Sequence, residues 1–105
     1  MTRGEVHLVH LDPTLGSEIQ KTRPCVVVSP DELNAHLRTV IVAPVTTGSR
    51  AYPWRIPCRF QRRVGYVVLD QLRTVDRERL VKRMGELPRE TMTKVLAGLQ
   101  EMFAE

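Results

Sequence analysis

Residues 5–28, with the sequence EVHLVHLDPTLGSEIQKTRPCVVV, decide the fold. The two apolar runs, at residues 6–11 and 25–28, are typical of short β-strands, and the second is continuous, as expected for a strand covered on both faces. Between them lies a polar loop of about a dozen residues, longer than the tight turn that usually joins neighbouring strands. Because long loops on a rigid β scaffold often carry function, we expect this loop to form part of a site.

The rest of the chain predicts further short strands and two helices. The strands fall at residues 40–45, 52–58, 65–69 and 80–84, and the proline at position 44 suggests an edge strand or a bulge. A short helix is predicted after Ser29-Pro30, ending near His36. After Pro88 the period changes, because apolar residues recur on one helical face. These residues are Met92, Val95, Leu96, Leu99, Met102 and Phe103.

The pattern as a whole predicts a mainly β fold. We expect five to six short antiparallel strands in a small, strongly bent sheet or barrel, with a short internal helix and a C-terminal α-helix. The length of 105 residues suits a single domain over residues 1–105, and 42% hydrophobic residues exclude wholesale disorder.

Composition also bounds the compartment and the chemistry. No apolar run is long enough for a membrane span and no signal-peptide pattern is seen, so we expect a cytoplasmic protein without a membrane partner. Cys25 and Cys58 are expected to be buried thiols rather than a disulfide. With two cysteines and three scattered histidines there is no zinc pattern, and no cofactor is expected.

The net charge of +4 is unevenly distributed. Five arginines, at positions 50, 55, 59, 62 and 63, occur without any acid between them and are interleaved with Tyr52, Trp54 and Phe60. This composition suits contact with a phosphate backbone whose bases stack on aromatic rings. A solvated basic hairpin with one core aromatic residue would have the same composition, so both interpretations stay open.

Motifs for a metal, a dinucleotide or a P-loop are absent from the sequence. The groups available suit RNA cleavage in which the 2′-OH of the substrate attacks the phosphorus. Glu18 could accept the 2′-OH proton, Arg23 could clamp the phosphoryl group, and Thr46 could donate to the same phosphate. Each residue has a structural alternative. Glu18 would be a solvated loop acid, Arg23 would pair with Asp12 or Asp70, and Thr46 would satisfy a turn.

Four motifs occur in order along the chain: LDPTLGSE at residues 11–18, TRP at 22–24, PVTTGS at 44–49 and DQLRT at 70–74. Together they resemble the MazF/PemK family of toxin endoribonucleases over essentially the whole chain. The resemblance implies an SH3-like barrel, related to that of CcdB, that works as a homodimer. It further implies metal-independent cleavage of single-stranded RNA at short preferred sequences, leaving 2′,3′-cyclic phosphate and 5′-OH ends. A cognate antitoxin with an extended acidic segment would cover the RNA groove.

The resemblance also assigns residues. It implies that Arg23 is the central catalytic arginine, that Thr46 is its companion at the scissile phosphate, and that Glu18 has a catalytic role. The side chains expected to bind RNA are Ser17, Lys21, Thr47, Arg50, Tyr52, Trp54, Arg55, Asp70, Gln71 and Arg73. Some members carry histidine at the position of Ser17 and a small residue at that of Lys21. Two alternatives remain: a non-catalytic toxin on the same fold, as CcdB traps DNA gyrase, or an inactive RNA-binding module.

Overall fold

The computed structural model describes residues 1–48 and 50–105. Ser49, the last residue of the PVTTGS motif, lies outside the described residues. In the described part of the chain the strands are β1 (Glu5–His10), β2 (Thr22–Val27), β3 (Thr39–Thr46), β4 (Arg55–Phe60), β5 (Arg63–Val68), β6 (Arg73–Asp76) and β7 (Leu80–Glu86). The helices are α1 (Asp31–His36) and α2 (Arg89–Phe103), and two 3₁₀ turns, Leu69–Gln71 and Arg77–Arg79, flank β6.

The strands form one antiparallel sheet that bends back on itself. Their order is β4-β5-β3-β2-β1-β7, and β6 pairs with β3 beside this path. The two outer strands meet at one rim, where Gln61 Nε2 donates to the Met84 carbonyl at 3.3 Å. The Phe60 ring lies 3.4 Å from where a Cβ on Gly85 would stand. The predicted mainly β, barrel-like fold with a C-terminal helix is confirmed.

Apolar clusters lie on both faces of the sheet, as strand β2 shows. Val26 packs into the cluster that also contains Val6 and Val95, whereas Cys25 and Val27 pack into the opposite cluster. This split follows from the alternation of side chains along a strand. The prediction that residues 25–28 are covered on both faces is confirmed, since all are buried.

Helix α2 closes the first of these clusters. Met92 and Val95 are buried there. A Cβ at Gly98 would stand 2.9 Å from Leu69 Cδ1, so the helix lies close against the 3₁₀ turn. Of the predicted apolar stripe, Met92, Val95, Leu99 and Met102 pack in or against this cluster, and Leu96 is half-buried without being part of it. Phe103 departs from the prediction: it is 70% exposed, because it ends the helix and no described part of the sheet reaches it.

One strand was missed by the prediction, and another was predicted with the wrong bounds. Strand β6 was missed because only Val75 of its four residues is buried, so the segment has no apolar alternation. Its pairing with β3 forms it instead. The strand predicted at residues 52–58 is β4, Arg55–Phe60, because Trp54 has a φ of 62° and belongs to the preceding turn.

The prediction of an edge at Pro44 was also wrong. Strand β3 is central, and Pro44 pairs with Cys25 of β2. On its other side β3 pairs with β6 as far as Val42 and with β5 from Val45 onward. Pro44 therefore lies at the point where the partner of β3 changes from β6 to β5. Its missing N–H interrupts neither the β3–β6 ladder nor the β3–β5 ladder.

The two cysteines lie in the interior of the fold. Cys25 and Cys58 are free and buried, as predicted, and burial raises the pKa of the Cys25 thiol to about 12. Across residues 1–48 and 50–105, no helix is long and apolar enough to cross a membrane.

Candidate active site

A cavity of about 340 Å³ opens at the rim of the barrel and brings Arg23 and Thr46 together. Arg23 is the second residue of β2, and Thr46 is the last residue of β3. Cys25 lies opposite Pro44, and the same register carried two residues further places Arg23 across from Thr46. Thr47 also lines this cavity, so three of the predicted RNA-contacting residues share it.

The Arg23 guanidinium is available to an anion. The side chain is exposed, and its Nε donates to the Gln20 carbonyl at 3.2 Å. Among the described residues no carboxylate pairs with it, so the alternative of a structural pair with Asp12 or Asp70 was wrong. The planar fork of an arginine matches two oxygens of a phosphate at once.

Thr46 is held by its neighbours on both sides. Its Oγ1 accepts from the Gly48 N–H at 3.2 Å, which leaves the hydroxyl proton free to point elsewhere. Its backbone pairs with Tyr66 of β5. A Cβ at Gly65 would stand only 2.2 Å from the Thr46 carbonyl oxygen, so the approach of β5 to Thr46 requires glycine there.

Sequence reasoning did not single out Arg63, which lines the same cavity. It was noted only as a member of the arginine-rich stretch. Its neighbours in the cavity include Phe60, Gln61 and Met84, which meet where the β4–β5 hairpin closes on β7. The signal that could have identified it is the spacing to Gly65, since residues 63 and 65 face the same side of a strand.

A second cavity, of about 680 Å³, contains half of the other predicted residues. The predicted site residues that line it are Ser17, Glu18, Asp70, Gln71 and Arg73. Glu18 and Arg23 therefore line different cavities. The Glu18 carboxylate accepts a hydrogen bond from the Leu15 N–H at 2.6 Å, and its role as a base stays a prediction.

The loop between β1 and β2 is braced by side chains from the 3₁₀ turn Leu69–Gln71 and from β6. Gln71 Oε1 accepts from the Ile19 N–H at 2.6 Å, and Gln71 Nε2 donates to the Ser17 carbonyl at 3.2 Å. Arg73 donates to the Leu11 carbonyl at 3.1 Å. Gln71 and Arg73, expected to bind RNA, thus hold the two sides of the loop that carries Glu18.

An exposed aromatic shelf lies beside this cavity. Tyr52 and Trp54 are 52% and 39% exposed, and with Arg55 and Asp70 they line a third cavity of about 510 Å³. Arg55 lies 5.0 Å from the centre of the Tyr52 ring, and its Nε and a terminal nitrogen donate to the two Asp70 carboxylate oxygens at 3.0 and 2.9 Å. Arg55 and Asp70 are therefore partners of each other.

The last two predicted RNA-binding residues, Lys21 and Arg50, have exposed side chains. Lys21 has a φ of 70°, and its carbonyl accepts from the Leu11 N–H at 2.9 Å, which closes the base of the loop. Across the described residues, no group of three or more His, Cys, Asp or Glu side chains is placed to hold a metal ion.

Comparison with known proteins identifies the family. Residues 2–103 match the family described as the PemK-like, MazF-like toxin of type II toxin-antitoxin systems. The chain belongs to this family. The resemblance inferred from the four motifs is confirmed.

Relatives and solved structures agree with this assignment over nearly the full length. The chain is 39% identical to endoribonuclease PemK of Escherichia coli, with 98% of this chain and 82% of the relative covered. It is 33% identical to endoribonuclease EndoA of Bacillus subtilis, with 97% and 93% covered. MazF of Deinococcus radiodurans superposes with a TM-score of 0.85 at 25% identity, covering 97% and 94%. A mycobacterial endoribonuclease in complex with its cognate antitoxin superposes with 0.81 at 25% identity, covering 96% and 92%.

In this PemK/MazF-type chain, the bracing of the loop can be tested at Gln71. We expect Gln71→Ala to leave the Ile19 N–H and the Ser17 carbonyl without their partner, so that the loop opens more often. Hydrogen exchange at the Ile19 amide should become about tenfold faster, as the loss of one hydrogen bond predicts. Gln20→Ala, at an exposed position in the same loop, should leave that exchange rate unchanged. Equal rates in the two variants would contradict the bracing role.

The pair between Asp70 and Arg55 predicts a pH dependence of stability. Hydrogen bonds from Arg55 lower the pKa of the Asp70 carboxyl below its usual value of 3.8. A depressed folded-state pKa gives a stabilisation that is present above that usual value and is lost as pH falls through the lowered one. Urea unfolding at a series of pH values should therefore show a steeper acid loss in the wild type than in Asp70→Asn. The difference should be small because the pair is partly exposed, and Glu101→Gln should follow the wild type.

Proposed function

We propose that this chain is the toxin of a type II toxin–antitoxin system and cleaves single-stranded RNA at preferred sequences, in the cytoplasm and as a single domain. The observation that carries the proposal is the cavity in which Arg23, with no carboxylate partner among the described residues, stands across from the Thr46 hydroxyl. The endoribonuclease relatives from Escherichia coli and Bacillus subtilis support it.

The proposed chemistry uses the substrate's own nucleophile. The 2′-OH gives up its proton to a base and attacks the neighbouring phosphorus, so that the O2′–P bond forms and the P–O5′ bond breaks. The departing O5′ takes a proton from water, which leaves a 2′,3′-cyclic phosphate and a 5′-OH. Arg23 stabilises the charge that builds on the phosphoryl oxygens, and the Thr46 hydroxyl donates to one of them. Because a guanidinium does not give up its proton under the conditions of the reaction, the role of Arg23 is electrostatic. This cationic cavity supplies charge stabilisation without a metal.

Glu18 is the proposed general base for the 2′-OH proton. Its carboxylate, bonded to the Leu15 N–H, lies in the larger cavity beside the loop. Because Glu18 lines a different cavity from Arg23, it has to come within hydrogen-bond distance of the 2′-OH for proton transfer. Its second oxygen can accept the proton while the first stays bonded to the Leu15 N–H. The proposal therefore includes a movement of the loop when RNA binds.

The RNA path is proposed to run from the Arg23 cavity over the aromatic shelf. Tyr52 and Trp54 offer exposed ring faces on which bases can stack. Lys21, Thr47 and Arg50 add exposed donors along this surface. The Arg55–Asp70 pair holds the shelf in place, since Arg55 packs on the Tyr52 ring while bonded to Asp70.

Two protein partners are part of the proposal. One is a cognate antitoxin whose extended acidic segment lies along the basic surface and competes with RNA for the same arginines. The antitoxin complex of the mycobacterial endoribonuclease supports this partner. The other is a second copy of the chain, because a two-fold dimer would place two such loops beside one groove.

The proposal is tested by incubating the purified protein with a single-stranded RNA of varied sequence in excess EDTA. We expect cleavage at a small set of sequences, and no cleavage of double-stranded RNA. An RNA that stays intact at every enzyme concentration would contradict the proposal. So would growth inhibition in cells that persists unchanged in an Arg23→Ala variant.

A further inference from the structure

The hairpin between β4 and β5 carries a second cation into the Arg23 cavity. Arg63 begins β5 and lines the cavity on the side opposite β2. Its side chain is exposed and, among the described residues, forms no ion pair. Acids are also distant in sequence, because no Asp or Glu occurs between Glu32 and Asp70. The guanidinium is thus available to an anion from outside the chain.

Arg63 and Arg23 reach the cavity from backbone positions that lie well apart on the sheet. Their strands lie on either side of β3, which separates them by about 10 Å across the sheet. Thr46 pairs with Tyr66, so Arg63 is a further three residues along β5, or about 10 Å. The two side chains therefore line opposite ends of the cavity, with Thr46 beside Arg23.

The backbone that presents Arg63 is strained and tied down. The two residues of the hairpin loop, Gln61 and Arg62, have φ values of 50° and 66°. This left-handed conformation favours Asn-Gly in such loops, and neither residue here is glycine. The Gln61 side chain bonds to the Met84 carbonyl at 3.3 Å, which anchors the hairpin on β7. Strain that is retained beside a site is a reason to suspect function.

We propose that Arg63 binds the phosphate adjacent to the scissile one, so that Arg23 and Arg63 hold two successive phosphates of the RNA. The inference rests on the proposed function, since it takes RNA as the ligand. Arg63 is then a binding residue whose contact is the same before and during cleavage. Its loss should raise KM and leave kcat nearly unchanged.

The first test measures binding to an RNA that cannot be cut. The probe is a labelled single-stranded oligonucleotide of varied sequence with 2′-O-methyl groups throughout, which blocks attack by the 2′-OH. Arg63→Gln should weaken binding about tenfold, as expected for one charge-assisted hydrogen bond, and lower the salt slope of binding by about 1. Arg59→Gln and Arg62→Gly remove the same charge from exposed positions of the hairpin and should change binding less than about threefold. Equal losses of RNA affinity in all three variants would show that binding depends on the overall positive charge of the hairpin, and this would overturn the proposal.

The second test locates the phosphate. In an oligonucleotide with a mapped cleavage sequence, single neutral methylphosphonate linkages replace the phosphates on either side of the scissile one. At one of these linkages, the neutral group and Arg63→Gln together should cost no more affinity than either alone. Additive losses at both linkages would overturn the proposal. Because the first binding measurement does not need catalysis, a chain that binds through Arg63 but cuts no RNA would contradict the proposed function alone.

Discussion

Arg23→Ala is expected to lower kcat/KM for RNA cleavage by about 10³, the usual loss when one preorganised donor to a developing charge is removed. Arg23 is the cation that faces Thr46 across the β2–β3 register, and it has no carboxylate partner among the described residues. Its side chain is exposed, so its removal should change the free energy of unfolding by less than about 0.5 kcal/mol. The loss of activity would then be chemical rather than a consequence of unfolding.

Two further variants separate the loss of the Arg23 side chain at the site from the loss of one positive charge. Arg89→Ala removes the same charge from an exposed position at the start of α2 and should retain nearly full activity. Arg23→Lys keeps the charge but loses the planar fork, so it should restore part of the lost activity. An Arg23→Ala enzyme that keeps more than about a tenth of the wild-type kcat/KM would contradict the assigned role.

Gly65→Ala is expected to have the largest effect on stability. The added Cβ would stand 2.2 Å from the Thr46 carbonyl oxygen and 3.0 Å from the Thr46 carbonyl carbon. Backbone atoms cannot rotate away as a flexible side chain can, so β3 and β5 must separate at this point. We expect the free energy of unfolding to fall by about 3 kcal/mol, at the upper end of the usual range for overpacking. Because the shift moves Thr46, cleavage should also fall in the fraction that remains folded.

Gly48→Ala is the matched control for this substitution. It lies in the same region, just after β3, and an added Cβ there would meet nothing within 4 Å. Chemical denaturation should place its unfolding free energy within about 0.5 kcal/mol of the wild type. A Gly65→Ala variant as stable as Gly48→Ala would show that the two strands do not approach as described.

How far the sequence predicts this site depends on the kind of contact. Arg23 and Thr46 are predictable from the sequence, because each lies in a short motif next to an apolar run. The contacts of Gln71 are not predictable in this way. Its side-chain amide accepts from the Ile19 N–H, 52 residues away, and no local sequence pattern indicates such a partner. The fold uses this polar side chain to hold the loop, and its contact with RNA stays a prediction.

The difference between local and distant contacts also explains the errors in the predicted fold. The run at residues 25–28 is apolar enough to predict a strand buried on both faces, and the structure confirms it. Strand β6 has one buried residue, Val75, and is formed by its register with β3, in which Val40 lies opposite Val75. Pairing of this kind depends on distant backbone, so it leaves little trace in the local sequence.

The chemical nature of the cut ends shows whether the substrate's own 2′-OH is the nucleophile. An RNA with one mapped cleavage sequence is incubated with the protein in EDTA, and the fragments are analysed by mass spectrometry. We expect a 2′,3′-cyclic phosphate on one fragment, a 5′-OH on the other, and no cleavage when the nucleotide before the scissile phosphate lacks its 2′-OH. Fragments that end in 3′-OH and 5′-phosphate, or cleavage of the 2′-deoxy substrate, would contradict it.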